Sequence, residues 1–109
     1  METNQAITAL TALGHATRLS AYRLLVEAGP AGRMAGDIGQ ALGVPGATLS
    51  FHLKELLLAG LVESESQGRH VCYRANFAAM NGLVDYLTHN CCAGATVAQC
   101  APASDACAC

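Results

Sequence analysis

The sequence predicts a mainly α-helical domain with one small β-hairpin, an α+β fold, and three stretches predict it. In residues 34–62, MAGDIGQALGVPGATLSFHLKELLLAGLV, Ile38 and Leu42 stand four apart on one face of a short helix, ahead of a break at Gly43-Val44-Pro45. Beyond the break Leu49, Leu53, Leu56 and Leu57 fall at i, i+4, i+7 and i+8, which makes the second helix amphipathic. After Gly60 the period becomes that of strands, with residues 61–66 and 70–75 around Gln67-Gly68. Two short helices across a tight turn, with a hairpin behind the second, form a winged helix-turn-helix.

Taken in order, residues 6–13 read as a weak amphipathic helix carrying Ile7, Leu10 and Leu13, interrupted by Gly14-His15. Residues 16–27 form a better one, with Leu19, Tyr22 and Val26 on one stripe and Leu25 near it. Gly29-Pro30-Ala31-Gly32 breaks the chain before the paired helices. Pro45 suits a first helical turn, where a missing N–H costs nothing, and Gly60 suits a helix exit. Of the two strands the second is the better, with Val71 and Tyr73 alternating against Cys72 and Arg74; Arg69 at the hairpin tip is placed to meet a phosphate. Asn76 is expected to cap a terminal helix on which Phe77, Met80, Val84, Leu87 and Cys91 are spaced 3, 4, 3 and 4, a heptad seam widened by Leu83. Such a seam can cap its own core or pair with a copy of itself; the homodimer is the expectation, because DNA readers of this size usually need two half-sites.

The face of the second paired helix opposite its leucines carries Ala47, Ser50, Phe51 and Lys54, with Thr48 beside them. Small and hydroxylated residues plus one cation suit entry into a major groove, where hydroxyls bond base edges or phosphates and apolar groups touch thymine methyls. The bland alternative is a surface helix of a protein-interaction module. At 109 residues, 52% of them hydrophobic, the chain is expected to form one core. A formal net charge of −2 argues mildly against nucleic acid, yet Glu2, Glu27, Asp85 and Asp105 lie away from the proposed reading surface while Lys54 and Arg69 lie near it. No apolar run reaches the length of about 18 residues that a membrane span needs, and no leader pattern is visible, so a cytoplasmic protein with reduced thiols is expected.

The division expected is 1–90 for the DNA-binding and dimerisation domain and 91–109 for a cysteine-rich tail. Five of the six cysteines, Cys91, Cys92, Cys100, Cys107 and Cys109, lie in that tail. Their spacing (an adjacent pair, a seven-residue gap, a third) fits neither a zinc finger nor a C-x-x-C redox pair. Clustered thiolates without hard ligands suit thiophilic ions. Cys91 and Cys92 form a chelating pair to which Cys100 can loop back at modest entropic cost. Three thiolates and no fourth ligand match a trivalent metalloid with a lone pair, arsenite or antimonite; the alternative is a thiol tail that scavenges metals without specificity. Cys72 reads as a small packed hydrophobe. His52 reads as a structural histidine, and His15 and His70 as solvated side chains.

HATRLSAYRLL at 15–25, DIGQALGVPGATLSFHLKELLLAGLV at 37–62 and GRHVCYRA at 68–75 together resemble the ArsR/SmtB family of winged-helix metalloregulatory repressors, and the resemblance spans roughly residues 10–90. It implies a homodimer joined through the first and last helices, a recognition helix at about 46–59, a wing at about 63–74, and repression relieved by a metal or metalloid. DNA-facing positions carry over to Gly46, Ala47, Ser50 and Phe51, where Phe51 replaces a residue that is often polar. The cysteine pair that many arsenic sensors carry at the start of the first paired helix is absent: Met34-Ala35-Gly36-Asp37 stands there. Asp85 and His89, four apart, lie away from the seam and lack the second pair that a zinc site on the terminal helix uses. Cys91, Cys92 and Cys100 resemble instead the arrangement of arsenite repressors with a cysteine pair just after that helix, and methylarsenite sensors with C-terminal cysteines keep organic trivalent arsenic open. A DNA-binding repressor released by As(III), with Sb(III) or methylarsenite as further inducers, is therefore expected. The alternatives are a repressor answering cadmium, lead or zinc, and a thiol-based metalloid buffer or carrier. An enzyme such as a thiol arsenate reductase is not expected, because no phosphate-cradling loop follows a cysteine.

Overall fold

A computed structural model describes residues 1–91 and 93. Five α-helices and a small sheet follow one another as α1 (Thr3–Leu13), α2 (Ala16–Ala28), a 3-10 turn (Gly29–Ala31), β1 (Arg33–Met34), α3 (Ala35–Leu42), α4 (Gly46–Leu58), β2 (Val62–Gln67), β3 (His70–Ala75) and α5 (Phe77–Thr88). The sheet is antiparallel in the order β1-β3-β2. The winged helix-turn-helix is therefore present, with α3 and α4 as the paired helices and β2–β3 as the wing.

The core is built where the helices converge on α4. Leu25, Ile38, Leu53, Leu56 and Leu61 are its largest fully buried side chains, joined by Leu49, Tyr22, Val62 and Leu83. Fully burying one such aliphatic side chain contributes about 1.5–3 kcal/mol, so the leucine stripe of α4 fixes that helix against its own domain. The Tyr22 hydroxyl sits inside without a hydrogen-bond partner among the described residues, and burial pushes its phenol above the ordinary range.

Two local devices set the geometry. Gly43 ends α3 in the left-handed conformation (φ 66°), its N–H directed at the Gln40 and Gly39 carbonyls, and the chain turns at once into α4 with Pro45 as the residue before the first helical one. Asn76 caps α5 by accepting from the Ala79 N–H at 3.1 Å, donates to the Gly60 carbonyl at 3.1 Å, and bonds Leu61 through its own backbone N–H at 2.8 Å. The exit of α4 and the start of α5 are thus tied at one side chain.

Several expectations are corrected. Helix α1 starts at Thr3 and buries Ala6, Ala9 and Ala12, while Ile7 and Leu10 face outward at 55% and 44% exposure. Small residues let α1 lie close to its own domain, with Leu13 half-buried at its end and Ile7 and Leu10 left on the outside. Leu19 is likewise outside, the inward residues of α2 being Ala21, Tyr22 and Leu25. The hairpin turn is Gly68-Arg69, since Gln67 pairs with His70. On β3 the buried positions are Cys72 and Ala75. The strand β1 was not foreseen: Arg33 pairs with Tyr73 and Met34 with Cys72. The terminal seam divides, with Leu83 buried and Met80 and Phe77 partly so, while Val84 and Leu87 stand exposed at 52% and 58%, and α5 ends at Thr88, before the seam reaches Cys91.

Candidate nucleic-acid interface

Helix α4 presents two faces of opposite character. Leu49, Leu53 and Leu56 are buried, with His52 beside them, whereas Gly46, Ala47, Thr48, Ser50, Phe51 and Lys54 are all exposed. The residues expected to read DNA therefore share one outward surface of a helix whose other side is fixed. Arg69 stands exposed at the wing turn. The start of α4, with Gly46 and Ala47 as its first residues, has no side-chain cap, and the free N–H groups of a helix start favour an anionic partner such as phosphate. Between α3 and α4 runs an open groove of about 550 Å³ lined by Ala35, Gly39, Val44, Leu49 and Ser50, without a charged side chain.

A polar cluster centred on the buried His52 lies behind the reading surface. Arg18 donates from Nε to the Ala12 carbonyl at 2.6 Å and its Nη1 lies 3.2 Å from Nδ1 of His52. Because guanidinium only donates, Nδ1 of His52 is the acceptor and its ring is neutral. Its ring packs on that of His15, centroids 4.4 Å apart. His15 in turn caps α2, accepting from the Thr17 N–H at 3.1 Å through Nδ1. Burial lowers the His52 pKa below the ordinary 6.5, reinforced by His15 and Arg18 and opposed by Glu55. His52 is thus structural, as expected, while His15 has a capping role instead of a purely solvated one. The link between Arg18 and His52 escaped sequence reading; its one signal was a histidine inside a leucine stripe, which needs a polar partner when buried.

The wing carries charges of both signs. Glu63 and Glu65 are exposed on β2. Glu65 is occupied by Arg74 at 3.3 Å and by the Gln67 amide at 3.1 Å. An exposed pair of this kind contributes at most about 1 kcal/mol to stability, but it directs the Arg74 charge toward Glu65 and leaves Arg69 as the cation of the tip.

At the far end, Cys91 is exposed in the turn that follows α5, its N–H bonded to the Thr88 carbonyl at 2.9 Å. Cys92 and Cys100, with Cys107 and Cys109, lie outside the described residues. Asp85 and His89 are exposed, and among the described residues no three His, Cys, Asp or Glu side chains cluster as metal ligands. Cys72 is buried under the Ala31 carbonyl, 3.5 Å away, a packed side chain as expected. No helix among the described residues is long and apolar enough to cross a membrane.

A family model described as a helix-turn-helix domain matches residues 13–65. Among curated proteins none is significantly similar to the chain. Solved structures are. An ArsR-like transcriptional regulator from Rhodococcus sp. RHA1 is 31% identical, with a TM-score of 0.67 over 77% of this chain and 76% of that one. The transcriptional repressor BigR from Xylella fastidiosa is 30% identical, with a TM-score of 0.64 over 82% of this chain and 88% of that one. A homodimeric winged helix-turn-helix DNA-binding domain from Mycobacterium bovis is 28% identical, with a TM-score of 0.61 over 79% of this chain and 84% of that one. With the α3–turn–α4 pair, the wing and the exposed face of α4 all in place, the chain belongs to the ArsR family of winged helix-turn-helix transcriptional regulators.

Proposed function

We propose that this protein is a cytoplasmic, homodimeric transcriptional repressor that binds operator DNA through α4 and the wing, and releases it when trivalent arsenic or antimony is captured by Cys91, Cys92 and Cys100. The observation that carries the DNA half is the outward surface of α4, where Gly46, Ala47, Thr48, Ser50, Phe51 and Lys54 are all exposed while the leucines opposite are buried. The homodimeric Mycobacterium bovis domain supports the assembly, and so do Ile7, Leu10, Val84 and Leu87, large apolar side chains left outside on α1 and α5. Two such subunits hold their reading helices about one DNA turn apart, roughly 34 Å.

Support for the inducer half is chemical. Cys91 is accessible in the turn just beyond α5, the helix proposed to join the subunits. Thiolates are the donors that soft ions select, and capture would deprotonate the three thiols and order the segment joining them. Binding there is coupled to DNA through the packing of α5; a coupling of about 1–3 kcal/mol weakens operator binding roughly 5- to 150-fold.

A DNA-shift assay on the segment upstream of the protein's own gene tests both halves. It is run with arsenite, antimonite, methylarsenite, cadmium, lead and zinc. Specific binding that arsenite or antimonite reverses, and that persists with arsenite in Cys91→Ser, Cys92→Ser and Cys100→Ser, is the expected result. Release of those variants at the wild-type arsenite concentration would move the inducer site elsewhere. No specific shift, with tight arsenite binding, would favour a thiol buffer.

A further inference from the structure

Two large apolar side chains of α4 are left outside, Leu58 at its C-terminal end and Phe51 in its middle. The Phe51 ring is 57% exposed in the middle of the outward face. The flanking exposed residues Ala47 and Ser50 are short, so the phenyl is the large apolar group among the residues proposed to face DNA. It does not hang loosely: it meets the His52 imidazole edge-on, centroids 5.4 Å apart and planes at 66°, a geometry that aromatic pairs prefer. His52 is itself held by Arg18 and packed on His15. The ring therefore projects from an anchored base. Lys54, close to one turn further along the same face, is available to a phosphate and would hold the helix in register.

A phenyl ring has neither donor nor acceptor, so it gains nothing from the polar edges of guanine, adenine or cytosine, and it is repelled by the hydration of a phosphate. One group on the floor of the major groove matches it, the 5-methyl of thymine. We propose that Phe51 is a specificity-determining residue that reads a thymine methyl in each half-site. The inference rests on the DNA-binding reading above and deepens it. A polar side chain at the same place would select a purine by hydrogen bonds, whereas Phe51 selects by excluding water from a methyl group. It therefore accepts 5-methylcytosine in place of thymine and rejects unmethylated cytosine and uracil.

The test uses the full chain and duplexes that it selects from a random pool. In the enriched duplex each thymine is replaced in turn by uracil, which lacks only the methyl. One position per half-site is expected to weaken binding about fourfold, the factor that burial of one methyl is worth. Phe51→Ala is expected to bind thymine and uracil duplexes alike, and Phe51→Tyr, which keeps the ring, to retain the discrimination. Because Phe51 is exposed, both variants should unfold cooperatively, and Phe51→Tyr, which keeps the contact with His52, should melt as the wild type does, separating readout from folding. If no thymine is methyl-sensitive, or if Phe51→Ala loses as much as the wild type, the proposal falls while the DNA-binding reading stands. If the wild type enriches no sequence at all, both fall.

Discussion

Arg18 stands between three helices: its Nε reaches the Ala12 carbonyl at the end of α1, and its Nη1 lies 3.2 Å from Nδ1 of His52 on α4. The helix proposed to read DNA is thus positioned from behind by a neutral, buried imidazole. Charging that ring removes the acceptor and sets a cation against the Arg18 guanidinium and beside His15, with the Glu55 carboxylate as the one opposing charge named among its neighbours.

Stability should therefore fall with acid in a defined window. Burial, then His15 and Arg18, lower the His52 pKa in the folded state from 6.5, so below that value the unfolded chain takes up a proton that the folded one refuses. The contribution of His52 is full above its unfolded pKa and declines as the pH falls through it toward the lowered native value. Thermal melts between about pH 8 and pH 5 should show the wild type losing more stability on acidification than His52→Gln, which keeps an acceptor for Arg18 but cannot titrate. Parallel curves for the two proteins would remove His52 as the cause.

Gly32 should tolerate no side chain. Its φ is +70°, and a Cβ there would press into the Tyr73 carbonyl and come within 3.1 Å of both Arg74 Cβ and Cys72 Sγ. Left-handed strain and the clash together predict a loss of roughly 2–4 kcal/mol for Gly32→Ala, read by denaturant unfolding. Cys72→Ala, which clears one of the three contacts, should recover only part of it. A loss under about 0.5 kcal/mol, the level of an ordinary surface change, would mean that β1 separates from β3 without cost.

A charge on the exposed apolar row of α5 should separate the subunits and leave each one folded. Val84 and Leu87 are 52% and 58% exposed, so Leu87→Asp removes little from the subunit's own core. Burying an unpaired carboxylate between subunits is unfavourable. Sedimentation should show the dimer dissociation constant raised by at least about tenfold, equivalent to roughly 1.4 kcal/mol. The melting profile of the separated subunit should stay cooperative. An unchanged dimer would place the subunit contact on another surface.

The legible parts of the fold are those whose signal repeats within one element. The i, i+4, i+7 leucines of α4 bury against their own domain, and the side that periodicity assigned to solvent is in solvent, from Ala47 to Lys54. Asn76 caps α5 because its amide competes for a backbone N–H three residues on, a purely local effect. In α1 both faces are apolar, and size misleads: the residues that fit a close helix contact are Ala6, Ala9 and Ala12, so Ile7 and Leu10 are displaced outward. Two residues are too few to show alternation, so β1 exists only through its pairing with Tyr73 and Cys72. The Arg18–His52 contact joins positions 34 apart, and no local pattern announces it. The DNA-facing set shares one exposed surface, whereas of the three thiols assigned to the inducer the described residues include Cys91 alone.

Between α1 and α5, Thr3 Oγ1 and the Tyr86 hydroxyl sit 2.5 Å apart. The beginning of the polypeptide is in this way laid alongside the stem from which the thiol segment departs. An affinity handle fused ahead of Met1 would emerge in the same neighbourhood and crowd it. Titrations of the proposed thiol site are therefore better made after such a handle is cleaved, or with a reporter attached at the tip of the hairpin in a DNA-free assay.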